Sequence, residues 1–326
     1  MKVISAIYNE KRNAGPKAPA DIDKILNEKY NAKIIRIRRV KRYRLKLIIL
    51  FFSLMFSRDV IILQHPLLLR SIFYKLLPKK RNVIIIHDIN GLRNGNKKIL
   101  NEEIKIFNSF HYIIVHNDIM KKYLISCGID KDKLYTLEIF DYLANGDIKE
   151  QYEINKKRLN VVYPGNLKKE KSPFIYQIDN KKINFTLNLY GIGIESDIAK
   201  NIKYMGSFEP ENINVINGDI GLIWDGNFDE SDQSELFKNY TRFNNPHKLS
   251  CCMALGIPVI VWSQSAISEF VKKYNVGYLI NNIYDINDLN LSDYDVKRLN
   301  SIEIGKKLRK GTFTLNVMEK ILNDMK

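Results

Sequence analysis

The sequence predicts an α/β fold of two Rossmann-like, doubly wound domains, and three observations predict it. Short apolar runs alternate with helical patterns from end to end. Most of those runs are near-continuously apolar, as in parallel strands covered on both faces. The length of 326 residues suits two domains better than one.

In the first half, strand-like runs lie at 3–8, 33–37, 59–63, 82–86, 111–115 and 133–137, with amphipathic stretches at 20–30, 67–77, 99–107 and 118–126 between them. The charged stretch 149–158 closes this half. A second series follows at 159–163, 185–190, 202–205, 220–224, 257–262 and 277–280. A long helical pattern at 302–325 ends the chain, broken around Arg309, Lys310 and Gly311. These limits give domains at 1–155 and 156–305 and a C-terminal helical segment at 306–326. Paired sheets of this kind hold ligands in a cleft at the C-terminal ends of their strands.

The chain is 45% hydrophobic and has three cysteines, an odd number without metal-ligand spacing. That fits a reducing, cytoplasmic setting. The adjacent Cys251 and Cys252 read as small hydrophobes packing a helix on a sheet. The net charge of +16 is uneven: residues 1–100 hold 23 Lys+Arg against 6 Asp+Glu, and the rest are nearly balanced. Residues 33–46 contain eight basic side chains and no acid, and ten mostly apolar residues follow at 47–56. Ten cannot span a bilayer, which needs about 20. The block reads either as a core helix with a solvated basic rim or as a docking patch for an anionic membrane, at about 1 kcal/mol per cation. Charge alone would also suit nucleic acid; the apolar block favours the membrane, so no nucleic-acid partner is expected. The first residues lack a signal-peptide pattern, and the expectation is a cytoplasmic protein peripheral on the inner face of the membrane.

Several positions carry possible chemistry. The stretch 243–262, FNNPHKLSCCMALGIPVIVW, opens a helix with Asn245 as N-cap and Pro246 at the first helical position. Gly256 supplies its left-handed end, and a buried strand follows. His247 and Lys248 then sit against the positive end of the helix dipole. They make sense there if an anion does too, and helix N-termini are phosphate sites. Gly165 and Asn166, at the end of the second half's first strand, form a turn signal with Pro164; a glycine there also lets backbone N–H groups approach a ligand, and Lys168 and Lys169 follow. His87 and Asp88 end a buried strand. A carboxylate beside an imidazole suits general-base work, and a structural histidine is the alternative. Asp225, after another strand, begins an acidic loop whose spacing is not that of a calcium loop. Tyr190 ends a strand before Gly191 and reads as a base-stacking ring or as core.

Blocks at 87–93, 139–143, 163–167, 204–208, 221–226, 243–248 and 308–313 together resemble bacterial GT-B glycosyltransferases of surface-polysaccharide (O-antigen or capsule) assembly, galactofuranosyltransferases above all. A more distant resemblance is to streptococcal adhesin glucosyltransferases. The resemblance implies a UDP-sugar donor on the second domain, an acceptor on the first, and a last helix crossing back to the first. It implies that Lys248 and Lys168 or Lys169 contact the donor diphosphate, and that Tyr190 lies near the uracil. Retaining members carry a glutamate where this chain has Cys251, which favours inversion. The reaction implied is transfer of a hexose, galactofuranose first, to a polyprenyl-diphosphate-linked or other glycan acceptor, with no cofactor or metal. Asp88 is the preferred base, oriented by His87, with the order between them open. A glucosyl- or N-acetylglucosaminyltransferase and a non-catalytic partner subunit are the alternatives. A homo-oligomer stays open.

Overall fold

Runs rich in isoleucine and valine fit a pleated, buried surface, and in the computed structural model they form two parallel six-stranded sheets. The structure describes residues 1–7, 16–38, 43–66, 69–150, 153–154, 157–195, 198–227 and 236–326. Residues 8–15, the acidic residues after Asn227, Arg39, Lys41 and Arg42 lie outside them.

The first unit contains β1 (Lys2–Ile7), α1 (Lys17–Tyr30), β2 (Lys33–Arg38), α2 (Tyr43–Leu54), β3 (Ile61–His65), α3 (Ser71–Tyr74), β4 (Asn82–Ile86), α4 (Asn90–Arg93), α5 (Lys97–Asn108), β5 (Tyr112–Val115), α6 (Asp118–Ser126) and β6 (Leu134–Thr136). Its sheet order is β2-β1-β3-β4-β5-β6, with the direction of winding reversing between β1 and β3. The run at 67–77 yields only the four residues of α3, with Leu77 and Pro78 buried beyond it. In α2, Leu47, Phe51 and Leu54 face the core, while Leu45, Ile49 and Phe52 are exposed at the same helical spacing on another face.

The second unit contains β7 (Asn160–Asn166), α7 (Phe174–Gln177), β8 (Thr186–Ile192), β9 (Ile202–Tyr204), β10 (Ile220–Ile223), α8 (Leu236–Thr241), α9 (His247–Ala254), β11 (Val259–Trp262), α10 (Ile267–Tyr274), β12 (Gly277–Ile280) and α11 (Tyr294–Arg309). The order β12-β11-β10-β7-β8-β9 reverses between β7 and β10, the Rossmann order counted from β7. Contacts divide the chain at Asp141 and Gly311, where the sequence reading put the limits at 155 and 305. The stretch after Phe140 belongs to the second unit because Tyr142 N–H donates to Leu308 O (3.3 Å) and Asn145 N–H to Glu211 O (2.9 Å). A last helix, α12 (Thr312–Asp324), belongs to the first unit and packs on α1 and β6. The break before it is Gly311, at φ +71°, where a Cβ would lie 2.7 Å from the Ile25 side chain.

Two local expectations change. Pro164, Gly165 and Asn166 are strand rather than turn: they continue β7, in register with Tyr190, Gly191 and Ile192 of β8. On its other side β7 pairs with β10 only at Val161 and Val162, so the N–H that Pro164 lacks is not missed. The second change is at α9, which starts one residue late. Pro246 occupies the cap position with extended ψ of 132°, and His247 is the first helical residue. Gly256 is left-handed (φ +68°) as expected. Cys251 and Cys252 are buried, and a Cβ on Gly221 of β10 would meet Cys252 Sγ at 2.5 Å; this glycine lets α9 lie directly on the sheet.

Candidate functional site: two strand edges

At the C-terminal edge of the first sheet, three neighbouring strands end in histidine: His65 closes β3, His87 follows β4 and His116 follows β5. His87 Nε2 lies 2.7 Å from Gln64 Oε1, and its half-buried ring stacks on Phe140, with centroids 5.2 Å apart and planes 15° apart. His116 is buried, places Nε2 3.0 Å from Ile86 O and meets the same Phe140 edge-on. Burial pushes its pKa down to about 4, against the charge of Asp88 and hydrogen bonds to backbone. Asp88 is a third exposed and accepts from Arg93 Nη1 at 3.0 Å. The loop carrying both residues is pinned from beneath. Buried Glu103 accepts from Asn90 N–H (2.9 Å) and Gly91 N–H (2.8 Å) and lies 3.2 Å from His65 Nε2. Gly91 is required here, since a Cβ would fall 2.1 Å from Leu100 N.

The second sheet's edge is built at its reversal point, between β7 and β10, and Lys248 fills it. Its ammonium donates to Tyr163 Oη (2.9 Å), Trp224 O (2.6 Å) and Asp225 Oδ1 (2.7 Å). Three donors are all an ammonium has, and both ionic side chains are nearly inaccessible, at 7% and 8%. Burial depresses the lysine's pKa, with Asp225 opposing it. Burial, and then the Asp225 charge, raise that of Tyr163. His247, one residue before, stacks on Tyr142 with centroids 4.9 Å apart.

The structure therefore brings Lys248 and Asp225 together and places Gly165 and Asn166 on the strand beside them. Contact between Lys248 and a phosphate requires the ammonium to turn from Asp225. Asn245 is buried. Tyr190 is also buried, its hydroxyl accepting from Asn217 N–H at 3.2 Å, so its ring is part of the core. Lys168 and Lys169 are exposed, and neither ammonium has a polar partner among the described residues. Gly193 admits the Lys168 stem, since a Cβ there would lie 2.6 Å from Lys168 Cγ. Among the described residues no three His, Cys, Asp or Glu side chains form a metal-binding group, and no helix is long and apolar enough to cross a membrane.

Sequence reasoning missed His116, Glu103, Tyr163 and Tyr142. A signal existed for the first: the runs ending in His65, His87 and His116 share one pattern, three or four largely apolar residues and then histidine.

Two Rossmann-like sheets, each with a polar C-terminal edge, define the GT-B class of glycosyltransferase. Models of the glucosyltransferase 3-like N-terminal and C-terminal domains match residues 1–139 and 161–321. A beta-1,6-galactofuranosyltransferase of Escherichia coli K12 is 32% identical, over 100% of this chain and 99% of its own. Glucosyltransferase 3 of Streptococcus gordonii is 23% identical over 80% of this chain and 78% of its own. Among solved structures, HepE of Anabaena in complex with UDP-glucose is similar in fold, with a TM-score of 0.60 at 13% identity over 100% of this chain and 99% of that one. The chain belongs to the glucosyltransferase 3-like family.

Proposed function

We propose that the protein is an inverting, metal-independent transferase that moves galactofuranose from UDP to a hydroxyl of a lipid-linked glycan. The observation that carries this reading is the full-length similarity to a galactofuranosyltransferase. Glucose is the second reading, favoured by the family's name and by a relative called a glucosyltransferase. On either, the second unit binds the donor. Lys168, Lys169, His247 and the first amides of α9 meet the diphosphate, and Lys248 exchanges Asp225 for it. Charge-assisted bonds of this kind stabilise the departing UDP, so no metal is called for. His87 takes the acceptor's proton; Asp88, held by Arg93, keeps that edge polar. Cys251 stands where a retaining enzyme has a carboxylate, hence inversion and a β-linkage from an α-configured donor.

The lipid-linked acceptor rests on α2. Leu45, Ile49 and Phe52 are 53%, 61% and 55% exposed at one helical spacing, and Phe56, in the turn after the helix, is 87% exposed, beside exposed Arg44, Lys46 and Arg58. Apolar side chains amid cations suit an anionic bilayer surface. Sedimentation with anionic but not neutral vesicles is expected, and a quadruple change of these four residues to serine removes it.

The test of function is turnover of UDP-galactofuranose, UDP-glucose and UDP-N-acetylglucosamine with a glycan acceptor, the product's anomeric configuration read by NMR. Fastest turnover of the first, with a β-product, is expected. An α-product ends the inverting reading, and no turnover of any donor leaves a binding subunit in its place.

A further inference from the structure

Behind His87 runs a line of polar side chains, most of them buried, that joins α1, β1, β2 and β3 at the reversal point of the first sheet. Asp23 on α1 accepts from Ser5 Oγ of β1 (3.0 Å) and from Arg36 Nε of β2 (3.0 Å) through Oδ2. Its Oδ1 accepts from Gln64 Nε2 of β3 at 2.8 Å, and the same amide nitrogen donates to Pro19 O at 3.0 Å. Gln64 Oε1 then faces His87 Nε2 at 2.7 Å. Ser5, Asp23 and Gln64 are each no more than 3% exposed. This is costly material to bury unless each group is satisfied.

The amide's orientation follows from its neighbours. Its NH2 faces a carbonyl and a carboxylate, both pure acceptors; turned over, its oxygen would oppose two oxygens. Gln64 Oε1 can only accept, so His87 Nε2 must carry a proton, and the lone pair of the neutral ring resides on Nδ1. Stacking on Phe140 fixes the ring plane at the same time.

We propose that Gln64, oriented by Asp23, is a positioning residue that locks His87 in the Nε2–H tautomer and so makes Nδ1 the atom that receives the acceptor's proton. The catalytic half of this statement rests on the transferase reading above; the tautomer half does not. Asp23 acts at one remove. Its charge polarises the amide and favours the imidazolium that forms when the proton is taken, without the carboxylate touching the ring.

The test is long-range proton–nitrogen NMR of the full chain labelled at histidine, with the His87 signals assigned from a His87→Gln variant. The parent is expected to show Nε2–H at His87. Gln64→Leu is expected to release it to a mixture or to Nδ1–H and to lower kcat on the order of 10²-fold with little change in KM, less than the about 10⁴-fold that a wrong tautomer costs in a serine protease. Gln64→Glu still offers His87 an acceptor when its other oxygen carries a proton and donates it toward Asp23 and Pro19 as the amide nitrogen does. It is expected to retain the Nε2–H form and restore most of the turnover, and it keeps the test decisive should the leucine variant fail to fold. An Nδ1–H parent, an Nδ1–H glutamate variant, or a leucine variant with unchanged tautomer and kcat overturns the proposal. If the tautomer follows Gln64 but no UDP-sugar is turned over, the positioning role stands and the transferase reading falls.

Discussion

The two strand edges solve the same problem in opposite ways. At the first, Asp88 and His87 remain partly reachable while their supports, Gln64, Asp23 and Glu103, are buried. At the second, the cation itself is buried, and Asp225, Trp224 and Tyr163 take its three protons. The lesson is that a charged side chain at a strand end can be an instrument or a strut, and that its partners decide which. Substitutions should therefore separate them: changes at the first edge cost rate with stability kept, and changes at the second cost stability together with the grip on the diphosphate.

The largest effect expected is on rate. His87→Gln should lower kcat by about 10²–10⁴-fold, the usual worth of a general base, with a thermal midpoint close to the parent's. A midpoint that collapses instead would make His87 a strut like Lys248. Next comes Lys248→Met, which strands a buried carboxylate; about 3–5 kcal/mol of stability should be lost in urea denaturation. Adding Asp225→Asn should recover much of that loss, and if it does not, the ion pair is not what Lys248 supports.

A third contrast lies within the first edge. His116 is neutral in the fold, its pKa depressed from 6.5 to about 4 by burial. The unfolded chain takes up the proton first as pH falls, so this group's contribution is complete above pH 6.5 and is lost down to about pH 4. The loss amounts to about 3 kcal/mol. His116→Phe should flatten the stability slope between those limits relative to the parent. A slope equal to the parent's would mean that His116 takes up its proton alike in the folded and unfolded chain.

The smallest effects test the exposed cations. Lys168→Ala with Lys169→Ala should weaken UDP binding in calorimetry by about tenfold for each charged bond lost, or roughly 1.5 kcal/mol. Full affinity in the double variant would put the diphosphate elsewhere. Chelation with EDTA should leave turnover unchanged, and a lost rate would end the metal-independent reading.

Both halves of the fold were legible because their strands are runs of β-branched residues whose period differs from that of the helices between them. His87 and Asp88 were legible for the same reason: they interrupt such a run. Their supports were not. Gln64 meets Asp23 and His87 across 41 and 23 positions of chain, and the pairing of β3 with β1 on one side and with β4 on the other brings them together. Lys248 shows a different limit. Its place at the head of α9 implied an anion, but a lysine in a sequence does not say whether that anion comes from a ligand or from the chain. Here the carboxylate lies 23 residues earlier. Pro164-Gly165-Asn166 misled because turn propensity is local, and the open flank of β7 beside β10 is not.

Gly221 ties the core to the chemistry. Cys252 rests on it, and Lys248 stands one helical turn nearer the rim on the same face of α9. A single methyl at this interior position would lift the helix and draw the ammonium away from Trp224, Asp225 and Tyr163 together. Variation at a residue that no substrate reaches could thus retune anion affinity, and a search for altered donor preference would do well to include the floor of the helix as well as the rim.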